Sequence, residues 1–273
     1  MFILTGFGDE ISPDLDEQLR VLGSEGIRHL EFRGAWDKNI TKLDDTELAK
    51  ARDLLKKHGA HVSAIGSPIG KVKINEDFEA HFKLFEHCLD LADYFETPFI
   101  RLFSYYPSDG KKIADDRDEV MRRMKRKADA AAKRGKVLLH ENEHAIYGES
   151  ADHCLDLHKS VPSLHLRATF DFANFVIDGE DPKRAFQLLR PYIAYIHIKD
   201  AKRDKQIVPA GEGDGHIAEI LAELDKDNRD YFLSLEPHLS FAGSMYGRSG
   251  PELFIHAIRS LKIILDGIGA KWR

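Results

Sequence analysis

Short apolar segments recur along this chain at a nearly regular interval, and segments with helical patterning lie between them. Successive apolar segments begin 25 to 39 residues apart, which leaves room for one strand, one helix and their connections. Eight such units are the number that closes a (β/α)8 barrel with right-handed crossovers. The eight predicted strands begin at Phe2, Ile27, His61, Pro98, Val137, Arg167, Ile193 and Tyr231.

An open, doubly wound sheet is the alternative fold for alternating strands and helices. That fold would carry a glycine-rich phosphate turn after its first strand, and the stretch Gly6-Phe7-Gly8-Asp9-Glu10 does not have the GxGxxG pattern. No linker rich in Gly, Ser or Pro interrupts the units. The sequence therefore predicts an α/β protein with a single (β/α)8 TIM barrel domain over residues 1–273.

Start and stop signals predict the helices between the strands. Ser12 followed by Pro13 is a favourable start for the first helix, and Leu15, Leu19 and Leu22 form its apolar stripe. The remaining predicted helices span residues 44–58, 76–96, 115–134, 150–160, 182–189, 217–224 and 251–266.

Composition restricts the partners and the compartment. The formal net charge is −6 and no long basic block occurs, so nucleic acid is a poor first choice of partner. No apolar run approaches the roughly 20 residues that cross a bilayer. Cys88 and Cys154 form no CxxC pair and are expected to be free thiols in a reducing compartment. We expect a cytoplasmic protein that acts on a small molecule.

Four consecutive predicted strands, the fifth to the eighth, run into a polar residue that can bind a metal ion. These residues are Glu141, Asp171, His197 and Glu236. Because the carboxyl ends of parallel strands meet at one face of a barrel, we expect the four side chains to converge. Three carboxylates and one imidazole suit Mn²⁺, Mg²⁺, Co²⁺ or Zn²⁺. Any one of them alone would be read as a solvated or capping residue, and the recurrence favours the metal site.

The residues around these strand ends resemble those of the xylose isomerase-like TIM barrels. That superfamily includes sugar and sugar-phosphate isomerases, ketose 3-epimerases, hydroxypyruvate isomerase, inosose dehydratase and endonuclease IV. The resemblance covers nearly the whole chain. It rests on Leu30-Glu31-Phe32-Arg33, Glu141-Asn142-Glu143-His144, Asp171-Phe172-Ala173-Asn174, His197-Ile198-Lys199-Asp200 with Arg203, Gly211-Glu212-Gly213-Asp214 and Leu235-Glu236-Pro237.

The resemblance implies one divalent ion, Mn²⁺ before Mg²⁺, Co²⁺ or Zn²⁺, with Glu141, Asp171, His197 and Glu236 as its ligands. It also implies that Glu141 and Glu236 act as acid and base in an enediolate proton transfer on a small sugar or related polyhydroxy carbonyl compound. Such chemistry is that of an isomerase or an epimerase. Relatives are often oligomers, so this protein is a candidate homo-oligomer. The resemblance also implies substrate-binding residues at Arg203, Asn174 and Lys199. Lys71 is added to them because of its position on the loop after the third strand.

Two departures from the superfamily pattern bear on the reaction. Asn174 stands where many relatives have a histidine, and this weakens the case for a ketose 3-epimerase in particular. Endonuclease IV needs further histidine ligands at positions held here by Ser67 and Ser104, so a trinuclear nuclease is disfavoured. An inosose-type dehydratase and a non-catalytic sugar-binding barrel remain alternatives. Arg101, inside an apolar strand, is expected to pair with a barrel residue such as Glu31.

Overall fold

Eight parallel strands form the centre of the protein in a computed structural model that describes residues 1–239 and 249–273. Helices connect the strands, and the predicted TIM barrel is confirmed. The strands are β1 (Phe2–Gly6), β2 (His29–Phe32), β3 (His61–Gly66), β4 (Phe99–Leu102), β5 (Val137–Glu141), β6 (Leu166–Asp171), β7 (Ile193–Ile198) and β8 (Tyr231–Leu235).

The strands are hydrogen-bonded in the order β1-β8-β7-β6-β5-β4-β3-β2, and β1 lies against β2 to complete a nearly closed barrel. The C-terminal residues lie along the edge of β1 that does not pair with β8. Phe2 donates its backbone N–H to Lys271, and Leu4 donates to Arg273, both at 2.8 Å. Arg273 donates in return to Phe2 at 3.0 Å, so the two ends of the chain share one seam.

Nine α-helices occur in the described residues. Their bounds agree closely with the predicted ranges, apart from the two differences described next. The helices are α1 (Leu15–Ser24), α2 (Asp45–His58), α3 (Phe78–Tyr94), α4 (Arg117–Lys133), α5 (Ala151–Ser160), α6 (Phe172–Ile177), α7 (Pro182–Leu189), α8 (Ile217–Asp225) and α9 (Gly250–Gly267).

Two local expectations about the helices were wrong. Helix α1 is capped by Asp14, whose side chain accepts from the Asp16 backbone N–H, and it does not begin at Ser12. The Ser12 hydroxyl instead accepts from the Asp14 backbone N–H in the turn before the helix. The six-residue helix α6, which follows β6 directly, was not anticipated because a single apolar turn has no readable period.

The core has two main parts and a small separate cluster of Ala173, Val176 and Ala201. The larger part lies between the outer faces of the strands and the helices, and the smaller part fills the barrel interior around Ala64, Leu139 and Tyr195, flanked by Phe99 and Phe232. The layer above this apolar barrel interior consists of charged and polar side chains at the carboxyl ends of the strands. No helix in the described ranges has both the length and the apolar character to cross a membrane.

Candidate functional site

Glu141, Asp171, His197 and Glu236 meet at the carboxyl-terminal end of the barrel. Glu141 and Asp171 end β5 and β6, His197 lies one residue before the end of β7, and Glu236 follows β8. Asp171 and His197 are direct partners in the β6–β7 ladder, and Ser234 pairs with His197. All four side chains are buried, and one ligand atom from each lies within 4.8 Å of the others.

The imidazole of His197 lies at the centre of this group. Its Nδ1 is 3.1 Å from Glu141 Oε1 and 3.6 Å from Glu236 Oε2. Its Nε2 is 3.1 Å from Oε2 of Glu31, a buried residue of β2. The ring therefore has carboxylates on both nitrogens, and the two carboxylates that face Nδ1 come from the predicted metal ligands.

Three cations hold the carboxylates of the cluster. Arg101 Nη1 donates to Glu141 Oε2 at 2.9 Å, and Arg33 Nη1 donates to Glu236 Oε1 at 2.8 Å. Lys199 Nζ lies 3.1 Å from Asp171 Oδ2. Both guanidinium groups bind the oxygen opposite the one that faces His197, so each glutamate keeps one oxygen directed to the cluster.

Burial and the neighbouring charges together lower the pKa values of Glu141 and Glu236 but raise that of Asp171. Burial acts to raise the pKa of Glu141, but His197 and Arg101 outweigh it and hold the value at about 2. Burial likewise opposes ionisation of Glu236, whose pKa lies well below its usual value because of Lys199 and the neighbouring histidines. Burial raises the pKa of Asp171 to about 6, although Lys199 acts against this. The two glutamates are therefore held as carboxylates.

The cluster also contains buried atoms that make no hydrogen bond. Asp171 Oδ2, His197 Nδ1 and Glu236 Oε2 are buried and lack a hydrogen-bond partner among the described residues. Each has a charged neighbour, at 3.1 Å for Asp171 Oδ2 and His197 Nδ1 and at 3.6 Å for Glu236 Oε2, but no hydrogen bond. Buried polar atoms without a hydrogen bond are rare in proteins, so three together mark a place that a ligand can occupy. Three oxygen donors and one nitrogen donor fit a hard or borderline divalent cation. The residues therefore fit the implied metal ion, although this donor set does not distinguish Mn²⁺ from Mg²⁺.

A small hydrogen-bonded network fixes the ends of β5 and β6. The side chain of Asn142 donates to the Asp171 carbonyl at 3.0 Å and accepts from the Asp171 backbone N–H at 2.9 Å. Asn174 donates its side-chain amide to the Asn142 carbonyl at 2.9 Å, and its backbone N–H caps α6 on Asp171 Oδ1. Asn174 is thus buried beside the cluster with its amide engaged by the backbone.

A cavity of about 640 Å³ opens above the cluster. Lys71 and Lys199 line it, and Lys71 forms an ion pair with Glu143 at 2.7 Å. Arg203 is exposed and is not among the lining residues found in the described part of the chain. The charged residues that line the cavity are Asp9, Arg33, Asp37, Lys38, Lys71, Arg101, Glu143, Lys199, Glu236 and His238.

The structure assigns different partners to Arg101 and Glu31 from those the sequence suggested. The guanidinium of Arg101 pairs with Glu141 and also donates to the Ser67 carbonyl at 3.3 Å, which leaves Glu31 facing His197. Arg101 therefore pairs with a carboxylate inside the barrel, as expected, but that carboxylate is Glu141 and not Glu31. A strand's alternation shows that both side chains point inward, but it does not show which of them meet across the barrel.

Sequence reasoning also missed His238 and Asp9, which lie near Glu236 and Arg33. His238 Nε2 lies 3.4 Å from Glu236 Oε1, and its backbone N–H donates to Glu10 at 2.9 Å. Burial raises the pKa of Glu10 to about 7. Asp9 accepts from Arg33 Nε at 2.8 Å. The position of His238, two residues beyond a predicted ligand on the same strand end, was the available signal.

Comparison with known proteins places the chain among barrels of this type. A family model described as xylose isomerase-like TIM barrel matches residues 19–263. A 3-dehydroshikimate dehydratase of Bacillus anthracis is 24% identical over 229 residues, which covers 77% of this chain and 81% of that protein.

Solved structures give the same fold. A D-tagatose 3-epimerase-like protein superposes with a TM-score of 0.78 at 15% identity and 98% coverage of each chain. A xylose isomerase-like TIM barrel protein from Mycobacterium smegmatis, in complex with magnesium, has a TM-score of 0.73 at 17% identity, with 96% of this chain and 97% of that chain covered. With a family model matching most of its length, this chain belongs to the xylose isomerase-like TIM barrel family.

Proposed function

We propose that this protein is a divalent-metal-dependent isomerase or epimerase of a small sugar or related polyhydroxy carbonyl compound. One observation carries the proposal. Glu141 and Glu236 each have one oxygen bound by a guanidinium and the other directed to the same cluster beneath the cavity. Two glutamates that are held ionised and oriented in this way suit the removal and return of a proton.

Glu141, Asp171, His197 and Glu236 would hold the metal ion, which when bound supplies a Lewis acid for a carbonyl oxygen of the substrate. One glutamate takes the proton from the carbon next to the carbonyl. Return of the proton to the same carbon from the other side gives an epimer. Return to the former carbonyl carbon, with the hydroxyl proton passing from one oxygen of the enediolate to the other, gives the isomer. Both reactions pass through the same enediolate.

Substrate contacts belong to the same proposal. Lys199 lies 3.8 Å from Glu236 Oε2 and lines the cavity, which supports contact with a substrate oxygen near the proton-transfer site. Lys71 lies at the cavity wall, 4.3 Å above the Phe103 ring. Asn174 and Arg203 are proposed as substrate contacts on the resemblance alone. The side-chain amide of Asn174 is bound to the backbone, and the side chain of Arg203 is exposed.

A dehydratase is the second candidate, and the similarity to the 3-dehydroshikimate dehydratase supports it. The reaction begins with the same removal of an α-proton by a carboxylate. The β-hydroxyl then leaves with a proton from an acid, so that water and a conjugated carbonyl product form. A cytoplasmic location and a small-molecule substrate are expected for both candidates.

The test measures bound metal and the exchange of substrate α-hydrogen with solvent deuterium. A panel of ketoses, inososes, hydroxypyruvate and 3-dehydroshikimate would be incubated with the wild-type protein, Glu141→Gln and Glu236→Gln. Each substitution removes one base, so exchange should fall by about 10²-fold or more. The control is Glu223→Gln, which changes a partly exposed glutamate on the outer helix α8 and should exchange like the wild type.

The products separate the candidates. Exchange with formation of an epimer or isomer supports the first proposal, and exchange with release of water and a new conjugated chromophore supports the dehydratase. A protein that binds no Mn²⁺, Mg²⁺ or Co²⁺ and exchanges no compound of the panel would contradict both. Sugar binding without exchange would then favour the non-catalytic barrel.

A further inference from the structure

Glu31 is a buried carboxylate at the carboxyl end of β2, on the far side of the His197 ring from the other carboxylates. Both Glu31 and His197 are fully buried, and Glu31 Oε2 accepts from His197 Nε2 at 3.1 Å. The contact joins β2 to β7 across the barrel interior. Burying a carboxylate at this depth costs folding free energy unless the carboxylate is paired, so the partner of Glu31 indicates which group it serves.

Irregular strand pairing precedes both residues of this contact. In the β2–β3 ladder the register shifts between Leu30 and Glu31, which pairs with Ala64. In the β6–β7 ladder the register shifts between Ala168 and Thr169, two residues before the Asp171–His197 pair. Such irregularities bend a strand and redirect its side chains, often next to active sites. The extra residue is Ser63 of β3 in the first case and Ala194 of β7 in the second, so both bulges lie close to the Glu31–His197 contact and the second is on the strand of His197.

The direction of the hydrogen bond decides which nitrogen of His197 is available to a metal ion. Both ring nitrogens lie 3.1 Å from a carboxylate oxygen, but only Nε2 makes a hydrogen bond, to Glu31. A carboxylate can only accept, so a neutral, metal-bound ring that keeps this hydrogen bond carries its proton on Nε2 and its lone pair on Nδ1. Nδ1 is the nitrogen that faces Glu141 and Glu236, and it is also the nitrogen without a hydrogen-bond partner. Metal-binding histidines commonly donate their other N–H to a carboxylate in this way, which fixes the ring and increases its basicity.

Two other groups of the barrel interior lie near Glu31. The guanidinium of Arg101 is directed to Glu141 and to the Ser67 carbonyl, although the Glu31 charge also acts on it. The Tyr195 hydroxyl, one layer below, forms a hydrogen bond with Ser63 at 2.9 Å and also interacts with Glu31. The imidazole of His197 is the charged side chain that pairs directly with the Glu31 carboxylate.

We propose that Glu31 is a positioning residue that holds His197 with Nδ1 directed to the metal ion. Glu31 touches neither substrate nor metal and acts through His197. The inference rests on the metal site of the proposed function. It adds a fifth residue to that site, from a strand that contributes no ligand.

The test compares metal affinity in Glu31→Gln and Glu31→Ala with that of the wild type, by titration calorimetry with Mn²⁺ and with Co²⁺. We expect the affinity to fall by about 10-fold to 100-fold, less in the Gln variant, which can still accept from Nε2. The control is Ser63→Ala, which removes a buried polar group from the layer below without touching His197 and should change the affinity by less than about twofold.

A second measurement does not depend on the Glu31 variants. Nitrogen NMR of the wild-type protein loaded with a diamagnetic ion, assigned with His197→Gln, should show the proton on Nε2 and the metal on Nδ1. The opposite assignment, or unchanged affinity in both Glu31 variants, overturns the role of Glu31 and leaves the proposed function standing. A wild-type protein that binds no divalent ion overturns both.

Discussion

Replacing Lys127 with methionine should stabilise this protein near neutral pH. Lys127 lies on α4 and is fully buried, with its Nζ 4.4 Å from the centre of the Tyr105 ring. The Nζ atom makes no hydrogen bond to any described residue. Burial, and then the charge of Arg123, lower its pKa from 10.5 to about 7. The folded protein therefore binds this proton much more weakly than the unfolded chain does.

The size of the effect follows from the two pKa values. At about 1.4 kcal/mol for each tenfold loss of proton affinity, the buried amine costs at most about 4 kcal/mol of folding free energy at pH 7. The folded pKa is lowered, so the unfolded chain binds more protons between pH 7 and about 10.5. The free energy of unfolding therefore rises with pH across that window, and the destabilisation by the buried Lys127 amine falls to about 1 kcal/mol near pH 10.

Urea unfolding of the wild type and Lys127→Met between pH 6.5 and 10 checks this expectation. Methionine has a similar length and keeps a favourable contact with the Tyr105 ring. The variant should be more stable at pH 7, and its advantage should shrink as the pH rises. Lys133→Met, at an exposed position of the same helix, is the control and should stay within about 0.5 kcal/mol of the wild type. A variant that is less stable at pH 7, or an advantage that does not depend on pH, would refute the reasoning.

Two further predictions concern the loops around the cavity. Gly70 has a φ of +92°, and a Cβ at this position would overlap the Phe103 carbonyl. Gly70→Ala should therefore destabilise the protein by more than about 2 kcal/mol, which would appear as a lower midpoint of thermal unfolding. Asp200 accepts backbone N–H groups from Gly211, Gly213 and Gly215 at 2.9 to 3.0 Å. Asp200→Asn turns an amide donor toward one of these groups and should cost about 1–3 kcal/mol in urea unfolding, and an unchanged midpoint would show that the loop does not depend on the carboxylate.

The sequence predicted the parts of the site that depend on strand ends. Glu141, Asp171 and Glu236 end or follow mostly apolar segments, and parallel strands in a barrel bring such ends together. The helices were also predictable, because capping residues and glycine stops are local signals. Asp44, for example, makes a capping box with Glu47 at the predicted start of α2.

Contacts across the barrel interior were not predictable in the same way. Arg101 and Glu31 both point inward, but their partners depend on the stagger of eight strands and on two shifts of register. A slip of a single residue changes which side chains share a layer. The contact between Glu31 and His197 therefore required the structure, as did the exposed position of Arg203.

The seam between the two chain ends has a consequence for how the barrel folds. Phe2 and Trp272 form a bridge although almost the whole chain separates them. Closing so long a loop carries a large entropic cost, and contacts of this kind form late in folding. We expect the helices and neighbouring strand pairs to assemble first and the seam to join last. Mutations at the seam should then speed unfolding and leave the folding rate nearly unchanged.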